Sequence, residues 1–475
     1  MPHFQSPHID LLLSYYLFTS PPALCTIKCG REDVDVMKAA ASRKELIETI
    51  GLEAVPKKRQ NTSWYRFAFI QIAVAANAGN FLVPALAVLE GGLSFWNGVL
   101  TTCIGAILGF LFVSYLSLPG ARLGIPAQYA IRTILGVQGA RFLSSPIRSI
   151  TSLYWFSVQT IGGTYVIQQL FIRMTGQEVP FLLFSIPLSI LMVILAIIGF
   201  DAVKKATTYF LPLLLLGEFT IIYIYFTTNH GDTAWFTFQL EPMQGSLTTM
   251  FFYASLAFVQ YVSGVSASAD MTRYAKTPAH GFWGLLIGNG IGFFITALIG
   301  CASAYLFHDI NPYVSSSGQT DSPVIIGIIT LTAVVSMISI NISNAYTGGY
   351  SLLNTFSRLT RVQSAVMFGF LGVLLSGFPS LVNEAESYIS LLGGLIIPIS
   401  AVISGDYLIV KRLHLDKKAI EQLTKTSSIN PYALIFIILG SLMYFSFPDN
   451  WSPGFITFTV LMVTYPWFMK HKTWS

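Results

Sequence analysis

Apolar runs recur along this chain at nearly even spacing, each close to the length of a bilayer core. A helix needs about 20 mostly apolar residues to cross one. Twelve such runs are legible, at 64–89, 96–118, 148–172, 180–200, 206–228, 247–268, 281–306, 324–347, 363–379, 386–410, 430–447 and 453–470. The ninth and eleventh are the shortest. The pattern predicts an all-α membrane protein of about twelve transmembrane helices.

The connections test that count. Lys57, Lys58 and Arg59 precede the first run. Even-numbered connections carry Arg122, Arg132, Arg141 and Arg148, then Lys204 with Lys205, Arg273 with Lys276, Arg358 with Arg361, and Lys411, Arg412, Lys417 and Lys418. Lys470 and Lys472 follow the last run. Odd-numbered connections hold Asp232, Glu241, Asp309, Asp321, Glu384, Glu386 and Asp449, with Arg173 the basic exception. One side of a twelve-span arrangement therefore collects the basic clusters. Basic residues stay cytoplasmic, so a multi-pass protein of the plasma (bacterial inner) membrane with both termini cytoplasmic is expected.

Composition agrees. Of 475 residues, 53% are hydrophobic and 10% charged, against about a quarter charged in a soluble domain. Mean hydropathy is +0.63. No basic patch with interleaved aromatics suggests nucleic acid. Cys103 and Cys301 lie in apolar runs as small hydrophobes, and Cys25 and Cys29 lack the partners of a metal site. Residues 1–36 read as an extension, disordered or outside the native chain, with Met37 as the natural start. Residues 37–63 read as a cytoplasmic tail.

Two spans look interrupted. The first contains Ala75-Ala76-Asn77-Ala78-Gly79-Asn80, followed by Pro84. Gly and Asn leave the helix cheaply, and Pro84 removes the hydrogen bond to the carbonyl of residue 80. A break near 77–80 follows. The sixth contains Gln260-Tyr261-Val262-Ser263-Gly264-Val265-Ser266. Broken helices five spans apart point to inverted five-helix repeats, 64–228 and 247–410, with a site between them. Residues 411–475 add two helices. The other reading of Gly and Ser here is close helix packing. Buried amides at Asn77, Asn80 and Gln260 favour a cavity.

In the third span Trp155 and Gln159 are four apart and share one helix face. An indole face and an amide suit a flat heterocycle with donors and acceptors on its edge. The plainer reading is bundle packing, with Gln159 bonded to a neighbouring helix. In the eighth span Ser339 and Ser343 share a face. With carbonyls freed by the first break, they could form an oxygen cage for a small cation. Back-bonding along the helix is the alternative. Carboxylates are expected only near span ends, at Asp201, Asp270, Glu386 and Asp406, which argues against a midplane proton relay. Asp270 and Arg273 are three apart and can pair as a gating or structural latch. Asp406 before Lys411 looks alike. The seven histidines lie at ends or in loops, which leaves a membrane enzyme without a catalytic set.

Several segments taken together resemble the nucleobase–cation symporter family one, the cytosine, purine, allantoin, uracil and hydantoin permeases. They are Gly91-Gly92-Leu93-Ser94, Gly124-Ile125-Pro126-Ala127 with Arg132 and Gly136, Trp155 to Gln159, Ser268 to Tyr274, and Gly405-Asp406-Tyr407-Leu408 with Lys411-Arg412. The resemblance runs from about Glu53 to the C-terminus. It implies a ten-helix inverted-repeat core of the LeuT-like kind plus two extra helices, and alternating access. It implies a ring stacked on Trp155, with Gln159, Gln260, Tyr261, Ser263, Gly79 and Asn80 around it. A cation, Na+ or H+, would sit by Ala75, Ala78, Ser339 and Ser343. Ile342 stands where a hydroxyl ligand is expected, and Thr347-Gly348-Gly349 where some members carry a binding amide.

The expectation is a symporter importing a nucleobase, cytosine or a purine first, with no other cofactor and the lipid bilayer as its surroundings. Allantoin, hydantoin, uracil or hydroxymethylpyrimidine is the alternative cargo. A passive channel or a membrane-embedded enzyme is the alternative class.

Overall fold

The computed structural model describes residues 51–75, 77–197, 200–228, 236–237, 247–416, 420 and 428–470. The side chains of 195, 196 and 200–207 are excluded from that description. The expected extension 1–36, together with Met37 to Ile50, Lys417, Lys418 and Lys472, lies outside the described residues.

The described chain is helical. In order it forms α1 (Trp64–Ala75), α2 (Ala78–Leu89), α3 (Phe95–Leu116), α4 (Leu118–Leu123), α5 (Ala127–Gly139), α6 (Ser145–Thr175), α7 (Phe181–Ile197), α8 (Phe200–Thr228) and α9 (Leu247–Val262). There follow α10 (Ser268–Thr272), α11 (Pro278–Phe307), α12 (Pro312–Gly318), α13 (Pro323–Thr355), α14 (Arg361–Leu375), α15 (Ser380–Asn383), α16 (Ala385–Gly405), α17 (Pro431–Ser446) and α18 (Pro453–Met469). A helix covers each apolar run. Among the described residues five helices are long and apolar enough to cross a membrane, or up to six if the bent pair α1–α2 is one span. Large apolar side chains such as Leu439, Leu442 and Val463 face outward, as lipid contact requires.

The packing has the symmetry of a repeat. α1 packs along α11, and α9 along α3. In the span numbering these are pairs one–seven and six–two, which exchange when every span is advanced by five. α6 packs on α13 and α7 on α14, pairs that map onto themselves. Elements five spans apart run oppositely if each crosses once, so the repeat is inverted. α17 and α18 pack against α16.

Small residues permit these approaches. A Cβ on Gly105 of α3 would collide with the Ala254 carbonyl of α9, and one on Gly163 of α6 with Met337 of α13. Between the second and third spans, α5 is a short amphipathic helix. Gly136 within it has φ +83°, and a Cβ there would lie 2.5 Å from the Ser428 carbonyl. Only glycine satisfies both.

The first break lies slightly earlier than expected. α1 ends at Ala75, and α2 starts at Ala78 with a 62° bend between them. Asn77 is extended (φ −161°, ψ 162°), and its side chain accepts the Asn80 N–H. That cap satisfies a donor the new helix would otherwise orphan. Gly79 and Asn80 therefore sit in the first turn of α2. Pro84 is absorbed inside α2. The sixth span is also interrupted. α9 gives way to a 3-10 turn over Ser263–Ser266, and Ala267 (φ −137°, ψ −18°) turns the chain into α10.

Candidate functional site

Both interrupted segments face one cavity of about 160 Å³, well above the roughly 10–15 Å³ needed for one water. Trp155 and Gln159 line it from α6, Gln260 and Tyr261 from α9, and Ser263, Gly264 and Ala267 from the turn that follows. Ala75 and Asn80 line it at the first break, and Ser343, Asn344 and Thr347 from α13. All the expected ring-binding residues except Gly79 are therefore brought to one chamber. Gly79 lies just behind it.

Gln159 serves both readings of its position. Its Oε1 accepts the Gly79 N–H at 3.0 Å, and its Nε2 donates to Asn77 Oδ1. It lines the cavity and also ties α6 to the capped break. Gln260 Nε2 donates to Asn80 Oδ1 at 3.1 Å, leaving Gln260 Oε1 with no hydrogen-bond partner. Tyr261 packs edge-on against Phe293 (4.9 Å) and tilted against Phe110 (4.6 Å), and its hydroxyl has no partner. Ser263 donates back to the Gln260 carbonyl.

Arg148 was read as a loop cation. It belongs instead to the first turn of α6, is only 8% exposed, and lines the same cavity. Its guanidinium donates to the Ser263 carbonyl at 3.3 Å and to Thr347 Oγ1 at 3.2 Å. Arg148, Trp155 and Gln159 fall at i, i+7 and i+11, one face of α6. That periodicity was present in the sequence but hidden by placing Arg148 at a boundary.

A second cavity of about 270 Å³ is lined by Ala78, Val158, Tyr165, Gln169, Asp309, Asn311 and Asn383, among others. It opens toward the acidic connections. Burial raises the Asp309 carboxyl above the usual carboxylate range, against the opposing hydrogen bond from the Asn311 N–H. The start of α2 and the Gln159 contact separate this chamber from the first.

The cage expected for a sodium ion is not assembled. The Ala75 carbonyl already accepts from Asn80 Nδ2 (2.6 Å) and Asn77 Nδ2 (3.2 Å), while the Thr296 hydroxyl, 3.1 Å away, lies nearer the Gly292 carbonyl at 2.9 Å. The two amide donors already occupy its two lone pairs. Ala78 faces the second chamber. Ile342 is a buried aliphatic side chain. Ser343 lines the central cavity and Ser339 lines neither chamber. These residues do not fit a sodium ion, because the freed backbone oxygen is bonded by the protein's own amides.

The expected latch takes another form. Asp270 Oδ1 accepts the Ala127 N–H at 2.7 Å, and Oδ2 accepts no hydrogen bond. Arg273 donates to the Gly51 carbonyl and to the hydroxyls of Tyr346 and Tyr350. Each residue thus fastens α10 to a different neighbour, and Arg273 adds positive field at Asp270. Asp406 pairs with Lys411 and accepts from Tyr465, as expected of a structural clamp.

The statement that carboxylates lie only near span ends is also corrected. Glu218 sits in the middle of α8, 3% exposed. One charge within Leu213 to Phe219 does not interrupt the apolar run.

Two breaks five spans apart, an inverted repeat and a central chamber lined from both halves define a multi-pass transporter. A family model described as "Permease for cytosine/purines, uracil, thiamine, allantoin" matches residues 54–468, and the chain belongs to that family. The allantoin permease of Bacillus subtilis (strain 168) is 21% identical over 80% of this chain and 82% of its own. The cytosine permease of Escherichia coli (strain K12) is 22% identical over 78% and 81%. A solved nucleobase-cation-symport-1 family transporter, closed with bromovinylhydantoin bound, superposes with a TM-score of 0.75 at 17% identity, over 88% of this chain and 95% of that one.

Proposed function

We propose that this chain imports a nucleobase, cytosine or a purine before other rings, by cation-coupled symport with alternating access, and that the end bearing the basic connections and both termini is cytoplasmic. The observation that carries this is one chamber between two broken helices, walled by the Trp155 indole and by amides and hydroxyls. A flat ring stacks on the indole, and its edge meets Gln260 Oε1, Asn344 and Ser263. Gln159 and Gly79 close the outer side. Arg148, bound to the Ser263 carbonyl, narrows the inner side. Moving α1, α3, α9 and α11 against α6, α7, α13 and α14 would break one set of contacts while keeping the other. A ligand drives that motion only through different affinity for the two arrangements.

The test is direct binding to purified protein with radiolabelled cytosine, adenine, uracil, allantoin and hydantoin, each competed by the others. Saturable binding of cytosine or adenine that Trp155→Ala weakens at least about fivefold is expected. Binding of allantoin or hydantoin alone would change the cargo, and binding of none would overturn the reading.

A further inference from the structure

Glu218 projects from the middle of α8, about 15 Å along the helix from its end at Thr228, near the centre of a hydrocarbon core. Leu214 and Ile221 share its face at i−4 and i+3. Leu214 clusters with Ala73 of α1 and Val335 of α13, and Ile221 belongs to the apolar cluster that also holds Phe81, Tyr313, Ile329 and Ala333. The carboxyl therefore points at the seam between the first broken span and α13. Among the described residues it has neither a salt bridge nor a hydrogen-bonded partner.

Its surroundings are uncharged. Tyr313 on α12 is the titratable group that couples to it electrostatically. Tyr225 lies two turns on along its own helix, with its hydroxyl on Ser315, and Cys301 of α11 lies in the same apolar cluster. α13 presents Thr332 and Ser336, and α1 presents Ala73. A bare carboxylate in such a place is costly, and an intramembrane carboxyl without a cationic partner is a mark of function. The central chamber offers no sodium cage, because the Ala75 carbonyl is saturated.

We propose that the coupling cation of this chain is a proton and that Glu218 carries it. In the closed arrangement the carboxyl is a neutral acid. When the seam is wetted from the outer side, the carboxylate takes a proton from hydronium, whose O–H bond breaks as the acid O–H forms. When it is wetted from the inner side, the acid O–H breaks and its proton passes to water, giving hydronium. Ser336, Ser339 and Ser343, at i, i+3 and i+7 of α13, lie on one face from the level of Glu218 to the central chamber, which Ser343 lines. They supply hydroxyls for that transfer. Each serine on the way gives up one O–H proton as it accepts another, and no oxidation state changes. The inference rests on the transport reading, yet part of its test does not.

The experiment compares the full-length chain with Glu218→Gln in proteoliposomes, using whichever base of the binding panel the wild type exchanges. At fixed sodium, an imposed pH gradient of about one unit supports about tenfold accumulation in one-to-one symport. Wild type is expected to approach that value. Glu218→Gln is expected to exchange base at the wild-type rate but to accumulate none. Accumulation by Glu218→Gln equal to wild type, or wild-type accumulation that follows a sodium gradient at constant pH, would overturn the proposal. Infrared difference titration needs no substrate. It should show a protonated-carboxyl stretch at neutral pH in the wild type that Glu218→Gln lacks, and its absence from the wild type would overturn the proposal even if no base is exchanged.

Discussion

Gln159 of α6 and Gly79 of α2 are joined by a hydrogen bond of 3.0 Å from the Gly79 N–H to the Gln159 side-chain oxygen. The amide nitrogen of Gln159 meets Asn77. A Cβ at position 79 would overlap the Gln159 amide, so any larger residue there must displace it. This contact is the partition between the two chambers. Gln159→Leu should leave the Gly79 N–H unpaired and Asn77 Oδ1 with only the Asn80 N–H, at a cost of about 1–3 kcal/mol. We expect a lower melting temperature and weaker ligand binding together. A fall in one without the other would show that the partition and the site are separate.

Trp155 offers the only indole in the central chamber among the described residues. Stacking of a base on an aromatic ring is worth about 1–3 kcal/mol. Trp155→Ala should weaken binding by about 5- to 150-fold, and Trp155→Phe by less. Equilibrium binding on equal amounts of folded protein checks the order. Phe weaker than Ala would mean the indole packs the bundle and does not hold a ring.

Arg148 links α6 to the turn after α9 through the Ser263 carbonyl. Arg148→Met should loosen the inner side. A cysteine placed at Ala267 should then react severalfold faster with a polar thiol reagent applied from the basic end. An unchanged rate would remove Arg148 from the gate.

The close approach of α3 and α9 makes a paired test of packing. Gly105→Ala drives a methyl into the Ala254 carbonyl, whereas Gly290→Ala meets nothing within 4 Å. Overpacking of this kind costs about 1–3 kcal/mol. Thermal unfolding in detergent should show a clear loss for Gly105→Ala and none for Gly290→Ala.

The lengths of the apolar runs made the spans legible, since a bilayer fixes how much chain must be greasy. The breaks were legible because Asn77 joins Gly79 at depth in the first span and Gln260 joins Gly264 in the sixth, and buried amides are costly unless they face a cavity. Trp155 and Gln159 were legible through helical spacing. Arg148 and Glu218 were not, because charge was counted by segment. A cation near a span end looks like a loop residue, and one carboxyl in a run of leucines barely lowers its hydropathy. The cation cage failed for a different reason. Which donor reaches the Ala75 carbonyl depends on how Asn77, Asn80 and Thr296 meet, a relation between the first and seventh spans that spacing along the chain does not encode.

The account is tested most directly by uptake of radiolabelled cytosine and adenine into liposomes holding the purified chain, with a cation gradient imposed and then collapsed. It predicts that wild type raises one of these bases above the external concentration while the gradient lasts, and that Trp155→Ala, reconstituted at equal density, does not. Uptake that only reaches equilibrium, or accumulation undiminished in Trp155→Ala, would contradict it.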